Sequence, residues 1–223
     1  MIQRFPPHEP ADIISQGARA LGIELTPDAV SKMMRHMALL MEWGEKINLT
    51  ALRDPLHMAV LHFLDSVTVF KVIPRGVRLS VLDVGTGAGF PGLILKIVEE
   101  SLDVTLLDRD PKKIVFLKYV ANALGLHGIR FLNTPLQRIM ENADRPTFDL
   151  LVSRAFASDP ALLDGLHILF KPRGMLVHMA GPSSLKEPFH FENFKCANHW
   201  EGNLPFSSSF RLVSLYRKIS DAS

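Results

Sequence analysis

Apolar residues fall into two successive regimes along the chain. From about Pro10 to Phe70 they recur at helical spacing. Thr26-Pro27 reads as an N-cap followed by proline at the first helical position. Val30, Met33, Met34, Met37, Leu40 and Met41 then mark one face of a helix. A methionine-rich face can form an adaptable binding groove, but at this spacing it reads as core. Asn48-Leu49-Thr50 breaks the pattern. A second helix is predicted from about Pro55 to Phe70, with Leu56, Val60, Phe63, Leu64, Val67 and Phe70 on one side, and Pro74-Arg75-Gly76 closes the region.

From Leu79 onward, short β-rich runs alternate with helical ones. VRLSVLDV, LDVTLLD, IRFLN, FDLLVS and MLVHMA read as strands, and Pro91 to Glu100 and Pro111 to Leu124 as helices. Strands alternating with helical crossovers predict a doubly wound parallel sheet. After Gly181 the pattern weakens, and FRLVSLYRK reads as a final antiparallel strand at the far side of the sheet. The expected architecture is α/β: a Rossmann-like sheet with helices on both faces (residues 77–223) behind a helical N-terminal cap (residues 1–76).

Composition narrows the class little. The 223 residues are 47% hydrophobic and 22% charged with a net charge of +2, and the pI is near 8.7. Such a surface permits nucleic acid as a partner without demanding it. A single cysteine, Cys196, excludes an internal disulfide framework and a cysteine-based zinc site. The nine histidines show no metal-ligand spacing, so no metal is expected. No apolar run approaches membrane-spanning length and the N-terminus lacks a signal-like apolar stretch, which predicts a cytoplasmic protein, expected to be monomeric.

The chemistry concentrates in VLDVGTGAGFPGL. A strand ends at Asp83-Val84, a loop carries Gly85, Gly87 and Gly89, and a helix follows Pro91. Glycines let backbone turn tightly and approach a ligand closely. Residues 87–92 match the dinucleotide fingerprint literally, but the tight turn already occurs at Gly85. Asp83 would also repel a pyrophosphate, whereas S-adenosylmethionine (SAM) carries a sulfonium and an ammonium. Asp108 ends the second strand 23 residues beyond Gly85, a spacing that suits a carboxylate accepting both ribose hydroxyls. The alternative for Asp108 is a helix N-cap. Loop and acid together favour SAM over NAD.

On the acceptor side, Ser153-Arg154-Ala155-Phe156 lacks the polar residue, two prolines and aromatic used for exocyclic amines. Cys196 stands in no motif for a C5-attacking thiolate. Arg154 is a cation able to bind a phosphate or base oxygen, or to orient the cofactor; its alternative is an ion pair with Asp83 or Asp149. His62, Asp65 and Ser66 share one helical face. They hold the residue types of a hydrolase triad, but a regular helix supplies no strained nucleophile or oxyanion donors. They read equally as a polar patch facing the cleft or RNA and as a cluster fixing cap to core. Lys112, Lys113 and Lys118, with Arg109, read as a solvated helix face or an RNA-binding rim.

These residues together resemble the RsmG (GidB) family, methyltransferases that modify N7 of one guanosine in small-subunit (16S) ribosomal RNA. The resemblance runs from Asn48-Leu49-Thr50 through Arg53, His62…Asp65-Ser66 and DVGTGAGFPG to LLDRDPKKIVFL and VSRAFAS, about half the chain. It implies SAM as cofactor, with Gly85 and Phe90 in the loop, the backbone at Leu136-Gln137 holding the adenine, and Arg154 beside the methionine end. Asn48, Arg53, His62, Asp65, Ser66 and Phe156 are the residues expected towards the RNA, which is met free or in the small subunit. Three positions depart from the family pattern: Gln137 replaces a glutamate, and Leu61 and Ala180 replace basic residues. From the residues alone, two other classes stay open. Methyl transfer to a small molecule predicts a closed acceptor pocket, and a nucleotide-binding regulatory module predicts binding without turnover.

Overall fold

The computed structural model describes residues 9–44, 46–154, 165–181 and 191–219. Two helices open the chain, α1 (Pro10–Ala20) and α2 (Pro27–Gly44). In both, proline takes the first position, where its missing N–H costs nothing. Of the methionine stripe, Met33 and Met37 are buried with Leu40, while Met41 at the edge is 39% exposed. The stripe is core.

The predicted helix over Pro55 to Phe70 exists as one helical segment, α3 (55–71), but it is not a regular α-helix. Pro55–Met58 is α-helical, Ala59–Leu64 is a π-helix, Asp65–Val67 returns to α and Thr68–Lys71 is 3-10. The widened π turn carries His62. Such turns are frequent at functional sites.

The sheet has seven strands: β1 (Ser80–Val84), β2 (Asp103–Leu107), β3 (Ile129–Leu132), β4 (Phe148–Ser153), β5 (Phe170–Ala180), β6 (Phe194–Asn203) and β7 (Phe210–Lys218). Their order is β3-β2-β1-β4-β5-β7-β6. The first five are parallel, and β7 is antiparallel to both β5 and β6. Crossovers run through α4 (Gly92–Val98), α5 (Pro111–Ala123) and α6 (Leu136–Glu141). FRLVSLYRK is antiparallel as expected but does not form the edge. β6 takes that place, a strand without a clear apolar alternation because most of its side chains face solvent. Residues from α1, α2 and α3 share one continuous apolar core with α4, α5 and one face of the sheet.

Strand order reverses between β1 and β4. In open α/β sheets the crevice beyond the carboxyl ends at such a switch point is where ligands bind. Gly85 follows β1 there and Arg154 follows β4.

Candidate active site

Beyond β1, Gly85 and Gly87 adopt φ of 70° and 59°, values that disfavour any residue with a Cβ. A Cβ on Gly85 would meet nothing within 4 Å, and one on Gly87 only the Gly85 carbonyl oxygen at 3.9 Å. The backbone here therefore fronts open space. Gly89 faces the other way, since its Cβ would lie 2.9 Å from Leu93 and 3.0 Å from Leu117.

Two carboxylates brace this loop. Asp83 is fully buried, and its Oδ2 accepts the Gly92 amide at 2.8 Å where α4 begins. Its Oδ1 has no partner of hydrogen-bonding geometry. Burial pushes its pKa up to about 6, against the Thr86 hydroxyl and the Gly92 amide. Asp108 Oδ2 accepts the Gly87 amide at 3.0 Å and Oδ1 the Asp110 amide at 2.9 Å. The helix cap is Asp110, which accepts from the Lys112 amide at 2.9 Å. Asp108 is thus tied to the glycine loop, and each oxygen keeps a lone pair for a ligand hydroxyl. At the next crossover, Leu136 is buried and Gln137 exposed. They open α6, where first-turn amides have no acceptor within the helix.

Arg154 faces the cap. Its Nη1 lies 3.3 Å from the Leu61 carbonyl oxygen, 3.2 Å from His62 Nδ1 and 3.9 Å from Asp65 Oδ2. Its guanidinium carbon stands 5.4 Å from the centre of the Phe90 ring. The ion-pair partner is therefore Asp65, not Asp83 or Asp149. Asp149 is instead engaged by Ser80 and by Lys171 at 2.8 Å, on another part of the sheet. Asp65 is 2% exposed and takes a second arginine, Arg211 of β7, whose Nε is 2.9 Å from Oδ1. Burial pushes the Asp65 pKa up, with Arg211 and Arg154 opposing. Leu61, His62, Asp65, Arg154, Ala180 and Arg211 line a cleft of about 210 Å³ together with Met179 and Gly181.

Phe90 is 2% exposed and lies between two imidazoles. His36 stacks on it at 5.1 Å and 15°, and His62 at 4.7 Å and 20°. Burial lowers the pKa of His36 to about 4, so the ring is neutral at pH 7. His36 Nε2 donates to the Ala88 carbonyl oxygen at 2.9 Å, tying α2 to the glycine loop. His62 is lowered to about 3 by burial and then by the charge of Arg154.

Thus His62, Asp65, Leu61, Arg154 and Ala180 come together, and His62 and Asp65 both line the cleft and bind the core. Ser66 does not join them: it is fully buried, and its hydroxyl donates to the His62 carbonyl oxygen at 2.6 Å. Asn48 and Arg53 are exposed, and Arg53 Nη1 donates to the Gly44 carbonyl oxygen at 3.1 Å. Lys113 Nζ lies 3.7 Å from Asp108 Oδ2, while Lys112, Lys118 and Arg109 face solvent. Phe156 lies outside the described residues. Two members were missed by sequence reasoning. His36 left a signal, a polar residue between Met33 and Met37 on an apolar face. Arg211 left none, because only the sheet order brings it to Asp65. Among the described residues, no group of His, Cys, Asp or Glu is placed to hold a metal, and no helix is long and apolar enough to cross a membrane.

A profile of the family described as rRNA small subunit methyltransferase G (GidB) matches residues 29–204. The ribosomal RNA small subunit methyltransferase G of Myxococcus xanthus is 35% identical over 211 residues, covering 93% of this chain and 96% of that relative. Its counterpart in Chromohalobacter salexigens is 38% identical over 174 residues, covering 78% and 80%. In fold, the chain is similar to the crystal structure of TrmN from Thermus thermophilus, with a TM-score of 0.51 at 21% identity. That likeness covers 69% of this chain and 48% of TrmN, so the chain spans about half of it.

Proposed function

The chain belongs to the rRNA small subunit methyltransferase G (GidB) family, and from that premise we propose that it methylates N7 of a guanosine in 16S ribosomal RNA. It is a SAM-dependent rRNA methyltransferase. The observation that carries the reading is the pairing of two features at the switch point. One is the open Gly85–Gly87 backbone braced by Asp108, and the other is the Arg154 cleft.

The residues present fit SAM. Bound there, it supplies a methyl group made electrophilic by a sulfonium. The glycine backbone would admit it closely, Asp108 would offer acceptors to the ribose hydroxyls, and the start of α6 at Leu136-Gln137 would offer backbone groups to the adenine. Asp83 holds loop and helix together from below.

Guanine N7 presents a lone pair and has no proton to lose, so displacement at the methyl carbon needs no general base. The cleft suits such a reaction. His62 stays neutral with Nδ1 engaged by Arg154, and Asp65 is bound by two arginines. Rate enhancement then comes from proximity and electrostatics. N7 becomes cationic as it is methylated, so an arginine aimed at it would oppose the reaction. Arg154 therefore binds a phosphate, guanine O6 or the cofactor carboxylate, where its fork fixes geometry. Leu61 and Ala180 leave Arg154 and Arg211 as the cations of this cleft among the described residues. The protein works as a cytoplasmic monomer on the rRNA, free or in the subunit.

The test uses 16S rRNA and small subunits from cells lacking this gene, incubated with the protein and methyl-labelled SAM. Label should enter one guanosine, and the strand should break there after borohydride and aniline treatment. No incorporation into either substrate, despite SAM binding, would refute the reading and favour a small-molecule acceptor.

A further inference from the structure

The side chain that grips Arg154 is itself gripped from behind. His62 Nδ1 lies 3.2 Å from Arg154 Nη1, and its Nε2 lies 2.7 Å from Thr50 Oγ1. A guanidinium carries donors only, so Nδ1 must accept. A neutral ring then bears its proton on Nε2, and that N–H donates to Thr50 Oγ1. The threonine oxygen has two acceptor sites, and the other takes the Leu52 amide at 3.1 Å. Thr50 is thus fixed as an acceptor by the side-chain turn it closes with the Leu52 amide, in the segment between α2 and α3.

The alternatives to this arrangement are poor. The opposite tautomer would point Nδ1–H at an arginine N–H 3.2 Å away. Rotating the ring out of the contact would break its stacking on Phe90, 4.7 Å away and 20° from parallel. Without the Nδ1 acceptor, Arg154 Nη1 retains the Leu61 carbonyl oxygen and Asp65, whose Oδ2 is 3.9 Å away. The guanidinium would then close on the carboxylate already held by Arg211, and its position at the cleft would change.

We infer that Thr50 is a positioning residue for methyl transfer: by accepting the Nε2 proton of His62 it holds the tautomer whose Nδ1 fixes Arg154 at the edge of the cleft. This rests on the cleft being the acceptor site proposed above. The chain of contacts is Thr50, His62, Arg154, with no proton moved during the reaction. Its effect is on where Arg154 stands.

The experiment has a spectroscopic arm and a kinetic arm. Protein labelled with nitrogen-15 in histidine is examined by long-range proton–nitrogen correlation, which reports the protonation of each ring nitrogen. In the unaltered protein His62 should be protonated on Nε2 and bare on Nδ1 at neutral pH. Thr50→Val, of similar shape but without the oxygen, should disturb that pattern, and Thr50→Ser should restore it. In methylation of 16S rRNA, Thr50→Val should lower kcat by roughly 10- to 100-fold, the scale of a displaced positioning group. S-adenosylhomocysteine affinity should fall much less, and Thr50→Ser should recover most of the rate. A merely structural role would lower the melting temperature without changing the tautomer. An Nδ1-protonated His62 in the unaltered protein overturns the inference, as does a Thr50→Val variant with undiminished kcat or a Thr50→Ser variant as slow as Thr50→Val. If rRNA proves not to be the acceptor, the unaltered protein is inactive on it, whereas the ring spectrum still decides the hydrogen-bond chain.

Discussion

Arg211→Met isolates what the second arginine does for Asp65. The carboxylate is 2% exposed, and Arg211 Nε is its nearest cation at 2.9 Å, with Arg154 Nη1 at 3.9 Å. Removing one partner of a buried ion pair costs about 3–5 kcal/mol, because the remaining charge is left unpaired. Arg154 stays close enough to take up part of the charge, so the expected loss is about 3 kcal/mol, at the lower end of that range. The loss should depend on pH in a definite direction. Burial already raises the Asp65 pKa above its ordinary 3.8, and removing Arg211 raises it further. A group with a raised folded pKa contributes stability that is present below its unfolded pKa and lost as pH rises through the folded value. The deficit of the variant relative to the unaltered protein should therefore be greatest near neutrality and shrink on acidification as Asp65 becomes neutral. Urea unfolding followed by the fluorescence of Trp43 and Trp200, at about pH 7.5 and about pH 5.5, measures it. Taking the difference at each pH cancels the titration of all other groups. Asp65→Leu combined with Arg211→Met should regain part of the loss, since the buried carboxylate is gone while Arg154, 27% exposed, keeps the Leu61 carbonyl oxygen and His62 Nδ1. A deficit equal at both pH values, or a double variant no more stable than Arg211→Met, would refute the reasoning.

Acid should destabilise the protein through its buried histidines. His36, His62 and His178 titrate at about 4, about 3 and about 4, each lowered mainly by burial from 6.5. Their depressed pKa values mean stability that is complete above 6.5 and lost as pH falls towards the folded values. Asp83, raised to about 6, and Asp65, also raised by burial, oppose them, since each favours folding more as it gains its proton. Between about pH 7 and pH 5 the three histidines outweigh the two carboxylates, for a net loss on the order of 2–4 kcal/mol; a flat urea-midpoint profile across that range would contradict it. Two glycines of the loop region should separate stability from binding. In Gly92→Ala the new Cβ falls 2.7 Å from Asp83 Oδ2 and from Leu106 Cδ2, an overpacking worth about 1–3 kcal/mol and visible as a lowered Tm. Gly85→Ala meets no neighbour and costs only its φ of 70°, about 1–2 kcal/mol, yet should weaken S-adenosylhomocysteine binding in calorimetry more than Gly92→Ala does. The opposite ranking in binding would place the ligand elsewhere.

What could be read from the sequence was what neighbours along the chain decide. The glycine loop after an apolar strand, the acid at the end of the next strand and the capped helix after Pro111 are local patterns. They held because strand, turn and helix propensities agree there. The π turn of α3 was not legible: the apolar spacing of Leu56, Val60, Phe63 and Leu64 fits a regular helix as well. Edge strand β6 carries Lys195, Asn198, His199 and Glu201 because water covers much of it, so the alternation that betrays a strand is diluted. Pairings across the fold were the least visible. Asp65 reads as one member of a helical face until β7, placed beside β5 rather than at the edge, brings Arg211 to it. The same geometry explains why the site belongs to neither regime of the chain alone. His36 holds Ala88, His62 holds Arg154 and Asp65 holds Arg211, and in every pair one residue comes from the N-terminal helices and the other from the sheet and its loops. Helical residues hold the glycine loop through Phe90 and Ala88 and the cleft through Arg154. A change at the cap–sheet contact should therefore be felt on both sides of methyl transfer, even where it touches neither ligand.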